Sequence, residues 1–389
     1  MTLHAIPEFA LERYFARWEF AVRHVMCASD VEAMALQELL ALADPETRGW
    51  WEGLTLGYTD STGLPALRAE IGSLYDAVSP DEVLTFSGAE EAIFVAMHAL
   101  LTPGDHAVVV VPGYQSLHSV ARAAGADVTA IPLREETGWA LDLDAVRAAV
   151  NPRTRAIVVN YPHSPTGALL SRRELLSLVA LAERQGAWLF SDEVYRGLEL
   201  DPSTRLPAAV DLSPRAVSLG VMSKAYGLAG LRVGWIATRD QALRARLAAL
   251  KDYTTICNAA PSELLALIAL RARTQLVARS MTLIRDNLAR FDAFVGRQGD
   301  RLAWVPPRAG SVAFPRLLHE DADAVAEALV REHGVLLLPG SLFGVRGGHF
   351  RVGFGRRDFP EALARLDAFL ATHPHAGSPS NSTREALLP

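Results

Sequence analysis

Between Val83 and Ala237 the chain alternates short apolar, β-branched runs with longer amphipathic segments. That alternation predicts an α/β fold: a large domain holding a seven-stranded, mostly parallel sheet between helices, plus a smaller α+β domain at the C-terminal end. Length agrees, since 389 residues exceed the usual size of one domain and half of them are hydrophobic, enough to bury a large core. Beyond Ala259 the alternation gives way to one long helical stretch and then short apolar runs, as a second, smaller lobe requires.

Strands are expected at Val83–Phe86, Ala107–Val111, Val128–Pro132, Ala156–Asn160, Trp188–Ser191, Ala216–Leu219 and Val233–Ala237. Helices are expected between them at Ala89–Leu101, Gln115–Ala124, Leu143–Ala149 and Arg172–Gln185, the last with Ser171 as its N-cap. Ala259–Gln298 reads as one long helix or a broken pair, and Trp304–Pro315, Val335–Pro339 and His349–Phe354 read as strands of the smaller domain. The resulting division is an N-terminal arm contributing to the small domain (1–45), a large domain (46–271), a small domain (272–373) and a disordered tail (374–389) rich in Pro, Ser and Gly.

Composition narrows the function. A net charge of −6 with scattered arginines argues against nucleic acid or anionic lipid as partner. The only cysteines, Cys27 and Cys257, lie far apart without metal-ligand spacing, so neither a disulfide framework nor a metal site is expected, and a cytoplasmic setting fits. Residues 1–9 lack a basic flank with an apolar core, and no apolar run reaches a membrane span, so neither export nor anchoring is expected. Of 38 basic residues only Lys224 and Lys251 are lysines. A chain that uses arginine wherever charge suffices keeps lysine where an amine is needed, a role guanidinium cannot fill because it stays protonated.

Four short segments fall at strand ends of the expected sheet, where open α/β sheets place ligands. Ser87-Gly88-Ala89-Glu90 leaves a strand and opens a helix, offering free amides to a phosphate, although small residues open many helices. Tyr114, after the next strand, is able to stack on a flat ring or simply to pack. The run from Asn160 through Ser164 to Gly167 is a loop fixed by two prolines and a glycine, and by itself it reads equally as a rigid turn. Ser191-Asp192-Glu193-Val194-Tyr195 ends a strand in a carboxylate suited to a ring nitrogen, or to solvent. Last, Ser223-Lys224 precedes a glycine-rich stretch with Arg232 eight residues beyond the lysine, bringing an amine and a guanidinium toward one ligand.

In this order the segments resemble the fold-type-I pyridoxal-phosphate (PLP) enzymes, specifically the class I/II aminotransferase family, over roughly Gly57 to Arg356. The resemblance implies PLP as cofactor, carried as a Schiff base on Lys224, which then shuttles the substrate's α-proton. Asp192 is implied to pair with the ring nitrogen, Tyr195 to hydrogen-bond the ring hydroxyl oxygen, and Tyr114 to stack. Gly88, Ala89, Glu90, Ser223 and Arg232 are implied for the phosphate, with Asn160 and Ser164 beside the ring. Arg351, in Phe350-Arg351-Val352-Gly353-Phe354, and Ser164 are implied for the substrate carboxylate. Tyr58 matches a tyrosine that reaches the cofactor of a partner subunit, which implies a homodimer. The implied reaction moves the amino group of an α-amino acid to a 2-oxo acid.

Three departures from the family pattern bear on specificity. Ser164 stands where many relatives have Asn, Val221 stands where a serine often precedes the lysine by three, and the stretch from Trp18-Glu19-Phe20 to Cys27-Ala28-Ser29-Asp30 lacks the usual small-residue substrate loop. The rival outcome on the same cofactor is elimination, cyclisation or oxidation of an amino acid, as in enzymes that build arginine-derived antibiotics. A nicotinamide-dependent oxidoreductase is the rival from another class, but no strand is followed by a complete G-x-G-x-x-G. A non-catalytic regulatory binder is the remaining alternative, and no helix-turn-helix or basic arm precedes the domain.

Overall fold

The computed structural model describes residues 6–373; the tail expected over 374–389 lies outside the described residues. Seven strands form the central sheet: β1 (Val83–Phe86), β2 (His106–Val111), β3 (Asp127–Pro132), β4 (Thr154–Asn160), β5 (Trp188–Asp192), β6 (Ala216–Val221) and β7 (Gly234–Thr238). Their spatial order is β1-β7-β6-β5-β4-β2-β3. All neighbouring pairs are parallel except those of β7, which runs antiparallel to both β1 and β6.

For every strand but β3, which lies at the sheet edge and is mostly exposed, the strand character follows from two-sided burial. Along β2, Ala107 and Val109 enter one apolar core while Val108 and Val110 enter another, and β4 divides Ala156 and Val158 from Ile157 and Val159 in the same way. A strand buried on both faces needs apolar residues at every position, which is why these segments read as unbroken runs. The helices Ala89–Leu100, Gln115–Ala123, Leu143–Ala149 and Arg172–Gln185 cross between strands. Ser171 caps the last of them: its hydroxyl accepts from the Glu174 amide at 3.2 Å while the Glu174 carboxylate accepts from the Ser171 amide at 2.6 Å.

The stretch 259–298 is a broken pair of helices, Ala260–Arg271 and Arg273–Arg297, interrupted at Ala272. Beyond it the expected strand over Trp304–Pro315 is not formed as read. Within it Val312–Ala313 pairs with Phe350–Gly353 and Ala309 makes a single antiparallel bridge to Glu199, while short pieces at Leu302–Ala303 and Arg316–Leu317 pair with each other. Pro306, Pro307 and Pro315 deprive that segment of ladder donors, so an apolar run does not become a continuous strand. Phe350–Gly353 also pairs with Leu338–Pro339, and His24–Val25 joins Val335–Leu336 in parallel, tying the N-terminal segment to the C-terminal part. Among the described residues no helix is long and apolar enough to cross a membrane.

Candidate active site

The strand order delivers the site. Parallel β4, β5 and β6 end side by side, with Asn160 opposite Asp192 and Asp192 opposite Leu219. Because β7 runs the other way, its first residue lies at that same end: Gly234 registers with Phe86 of β1 and with Val221 of β6. Arg232, just before β7, is thereby brought against Gly88, just after β1. Gly88 has φ of +93° as the N-cap of helix Ala89–Leu100, and a Cβ there would stand 2.4 Å from the Arg232 guanidinium. A side chain at Gly88 would fill the space in which helix amides and guanidinium converge, the arrangement a phosphate requires.

A cavity of about 170 Å³ opens here, and it is lined by Ala89, Glu90, Tyr114, Asn160, Ser164, Asp192, Tyr195, Ser223, Lys224, Arg232 and Arg351. Gly88 abuts it through Arg232. Tyr58 does not: it is 92% exposed and borders a separate surface depression with Trp50 and Leu54. Of the two lysines, Lys224 reaches the cavity, where its Nζ donates to Ser29 Oγ at 2.7 Å and stands 5.7 Å from the centre of the Tyr195 ring. Lys251 is buried elsewhere, donating to the Ser61 carbonyl at 2.6 Å beside Glu263.

None of the charged groups lining the cavity forms an ion pair among the described residues, and two of them, Asp192 and Arg351, are buried. Asp192 is buried and accepts from the Val194 amide at 3.2 Å, but no cation pairs with it among the described residues. Burial pushes its carboxyl up to about 7, against which the Val194 amide and the charge of Lys224 act only partly. A carboxyl so placed calls for a cationic partner such as a protonated ring nitrogen. Arg351 is likewise buried, at 3% exposure; its Nε donates to the Cys27 carbonyl at 3.0 Å and its guanidinium faces the rings of Phe15 and Phe343. No described carboxylate forms an ion pair with it, so the remaining nitrogens are available to an anion. These features fit PLP: an amine, a buried carboxyl wanting a cation, and a glycine-lined anion cradle.

Asn160 lines the cavity and also ties its walls together. Its amide donates to the Asp192 carbonyl at 3.0 Å and its oxygen accepts from the Ser164 amide at 2.8 Å, so both ends of the side chain stitch the loop to the neighbouring strand end. Tyr114 donates to Glu12 at 2.9 Å, and burial raises its phenol well above the usual value. Glu90, which also faces the cavity, is pushed up to about 7 by burial.

Leu11, Glu12 and Phe15 of helix Ala10–Trp18 line the cavity without having been singled out in the sequence, and Ser29 lines it after being noted only as part of the stretch that departs from the family's substrate loop. Leu11 and Phe15 share a helix face at i,i+4, a signal any packed helix gives. No motif surrounds Glu12 or Ser29, which arrive through contacts of 102 and 195 residues' separation.

Residues 52–366 match the family model for aminotransferase class I and II, and the chain belongs to that family. It is a PLP-dependent enzyme of this kind. It is 36% identical to the capreomycidine synthase of Streptomyces vinaceus over 377 residues, 95% of each chain. Among solved structures it resembles a PLP-dependent aminotransferase from Streptococcus suis at a TM-score of 0.89 and 30% identity, covering 95% of this chain and 99% of that one. It also resembles the PLP-dependent cyclase OrfR at a TM-score of 0.85 and 30% identity, covering 96% of this chain and all of that one.

Proposed function

We propose that the enzyme transfers the amino group of an α-amino acid to a 2-oxo acid. The observation that carries this reading is one cavity containing the Lys224 amine, the Asp192 carboxyl without a cation and the Arg351 guanidinium without a carboxylate. PLP, when bound, supplies an aldehyde and an electron-withdrawing ring that makes the substrate's α-proton removable. Lys224 carries the cofactor and, once released, moves that proton. Asp192 keeps a proton on the ring nitrogen, Tyr195 donates to the ring hydroxyl oxygen, and Tyr114 covers one ring face. The amides of Ala89 and Glu90, left free by the turn at Gly88, hold the phosphate together with Ser223 and Arg232. Arg351 takes the α-carboxylate through its free nitrogens, which selects amino acids over simple amines. Ser164 assists at that carboxylate, and Asn160 fixes the loop bearing Ser164 to the end of β5. A second copy of the chain contributes Tyr58, whose exposure in one subunit supports a homodimer. Two free cysteines suit the cytoplasm.

A second reading keeps these residues and changes the outcome to cyclisation of the substrate. Similarity to capreomycidine synthase along 95% of both chains, and to a PLP-dependent cyclase, favours it. One assay separates the two. Amino acids are supplied with and without a 2-oxo acid, the panel including cationic side chains because Glu12 and Glu90 both face the cavity. Transamination gives repeated turnover only when the acceptor is present; acceptor-independent product rejects it in favour of the second reading.

A further inference from the structure

We propose that Ser29 is a positioning residue for Lys224: its hydroxyl oxygen takes one N–H of the amine whenever that amine is free, and so fixes where the nitrogen's lone pair points. The proposal rests on the reading of Lys224 as the group that moves the α-proton. Lysine hangs on a flexible four-carbon stem, and an untethered amine samples many rotamers. Here the contact is direct, Nζ to Oγ at 2.7 Å.

Ser29 is itself held through its own carbonyl and through its neighbours, without use of its hydroxyl. Its carbonyl accepts from the hydroxyl of fully buried Ser311 at 2.6 Å. On either side, the Cys27 carbonyl accepts from Arg351 Nε at 3.0 Å and the Asp30 carboxylate accepts from Arg356 at 2.8 Å. The stretch lies so close on strand Phe350–Gly353 that a Cβ at Gly353 would stand 1.8 Å from the Ala28 carbonyl oxygen. Two residues of backbone, from Cys27 to Ser29, therefore join the guanidinium that takes the α-carboxylate to the hydroxyl that holds the amine. The device sets the separation between the carboxylate clamp and the proton-moving nitrogen in one short, fixed piece of chain.

The test uses the holoenzyme with Ser29→Ala and Ser29→Thr. Alanine leaves every main-chain clamp intact, so the segment keeps its place. Loss of a single hydrogen bond to the amine lowers kcat roughly tenfold in Ser29→Ala with KM within about twofold of wild type, and Ser29→Thr restores most of the loss. A second readout needs no turnover: in the chain stripped of cofactor, an acetylating reagent modifies Lys224 faster in Ser29→Ala than in wild type, while buried Lys251 is unchanged, each followed by peptide mass. Wild-type kcat with unaltered Lys224 acetylation in Ser29→Ala overturns the proposal, as does a kcat loss that threonine leaves unrepaired with Lys224 acetylation unaltered. Borohydride reduction and peptide mapping of the wild type keep the two ideas apart. Cofactor found away from Lys224 defeats the underlying reading, whereas cofactor on Lys224 with no effect of alanine defeats only the role of Ser29.

Discussion

Asp192 makes the clearest electrostatic demand in the molecule. Its ordinary value of 3.8 is raised to about 7 in the folded chain, chiefly by burial. Below about pH 4 both folded and unfolded chains carry the proton, and the buried group costs nothing in charge. Between about pH 4 and about pH 7 only the folded chain binds it, so stability falls as pH rises, by ~4 kcal/mol at most once the carboxylate forms. Asp192→Asn removes that loss. In the cofactor-free chain, the stability of Asp192→Asn relative to wild type is expected to climb across this window and level off above it. Urea melts at pH 4, 5.5 and 8 measure the difference, and a flat difference would contradict the burial argument. Elsewhere in the cavity lining, Arg351→Lys keeps the charge but loses the planar fork. Its kcat/KM for α-amino acids is expected to fall by roughly 50-fold, the worth of a charge-assisted bidentate pair. Steady-state kinetics checks it. The sequence left Lys224 and Lys251 as alternatives on composition alone. What separates them is environment, one reaching the cavity and the other closed in beside Glu263, and environment is a product of the fold.

At the scale of elements, the seam between residues 26–32 and strand Phe350–Gly353 carries Ser29 and Arg351 to the cavity. The Gly353 amide donates to the Met26 carbonyl at 2.8 Å and the Glu32 amide to the Gly355 carbonyl at 2.7 Å. Gly353→Ala forces a methyl group into the Ala28 carbonyl, and overpacking of this sort is expected to cost roughly 1–3 kcal/mol or more. A lower melting temperature together with a raised KM for the amino acid would register it, since Arg351 lies two residues away. This seam also explains what sequence reading missed. β1 was legible at its observed bounds and the remaining sheet strands to within two residues at either end; for all but the largely exposed edge strand β3, two-sided burial writes itself locally as an apolar run. The two-residue pairing of His24–Val25 with Val335–Leu336 writes nothing locally, and Ser29 beside it carries no motif. The misread segment Trp304–Pro315 is the converse case: apolar content suggested one continuous strand, and three prolines broke it into short pieces that pair with different neighbours.

For the whole molecule, the test of assembly is complementation. If Tyr58 serves a partner's site, mixing Lys224→Ala with Tyr58→Ala subunits builds hybrids in which one of two sites has both residues. After random exchange about one quarter of all sites regain both groups, and activity is expected to appear from two inactive or weakened proteins. Exchange followed by assay, alongside sedimentation to establish the dimer, measures it; no recovery on exchange would confine Tyr58 to its own subunit. Leu56, Tyr58, Tyr253 and Ile256 are all exposed in the single chain, a surface a second copy would cover.

The position of Arg351 near the C-terminal end also sets a timetable. The cavity groups from Ala89 to Arg232 belong to the central sheet or its flanking helices and loops, whereas Arg351 sits on a strand that emerges from the ribosome more than a hundred residues later. A chain ending before Phe350 would thus carry Asp192, Lys224 and Arg232 but lack the Arg351 guanidinium.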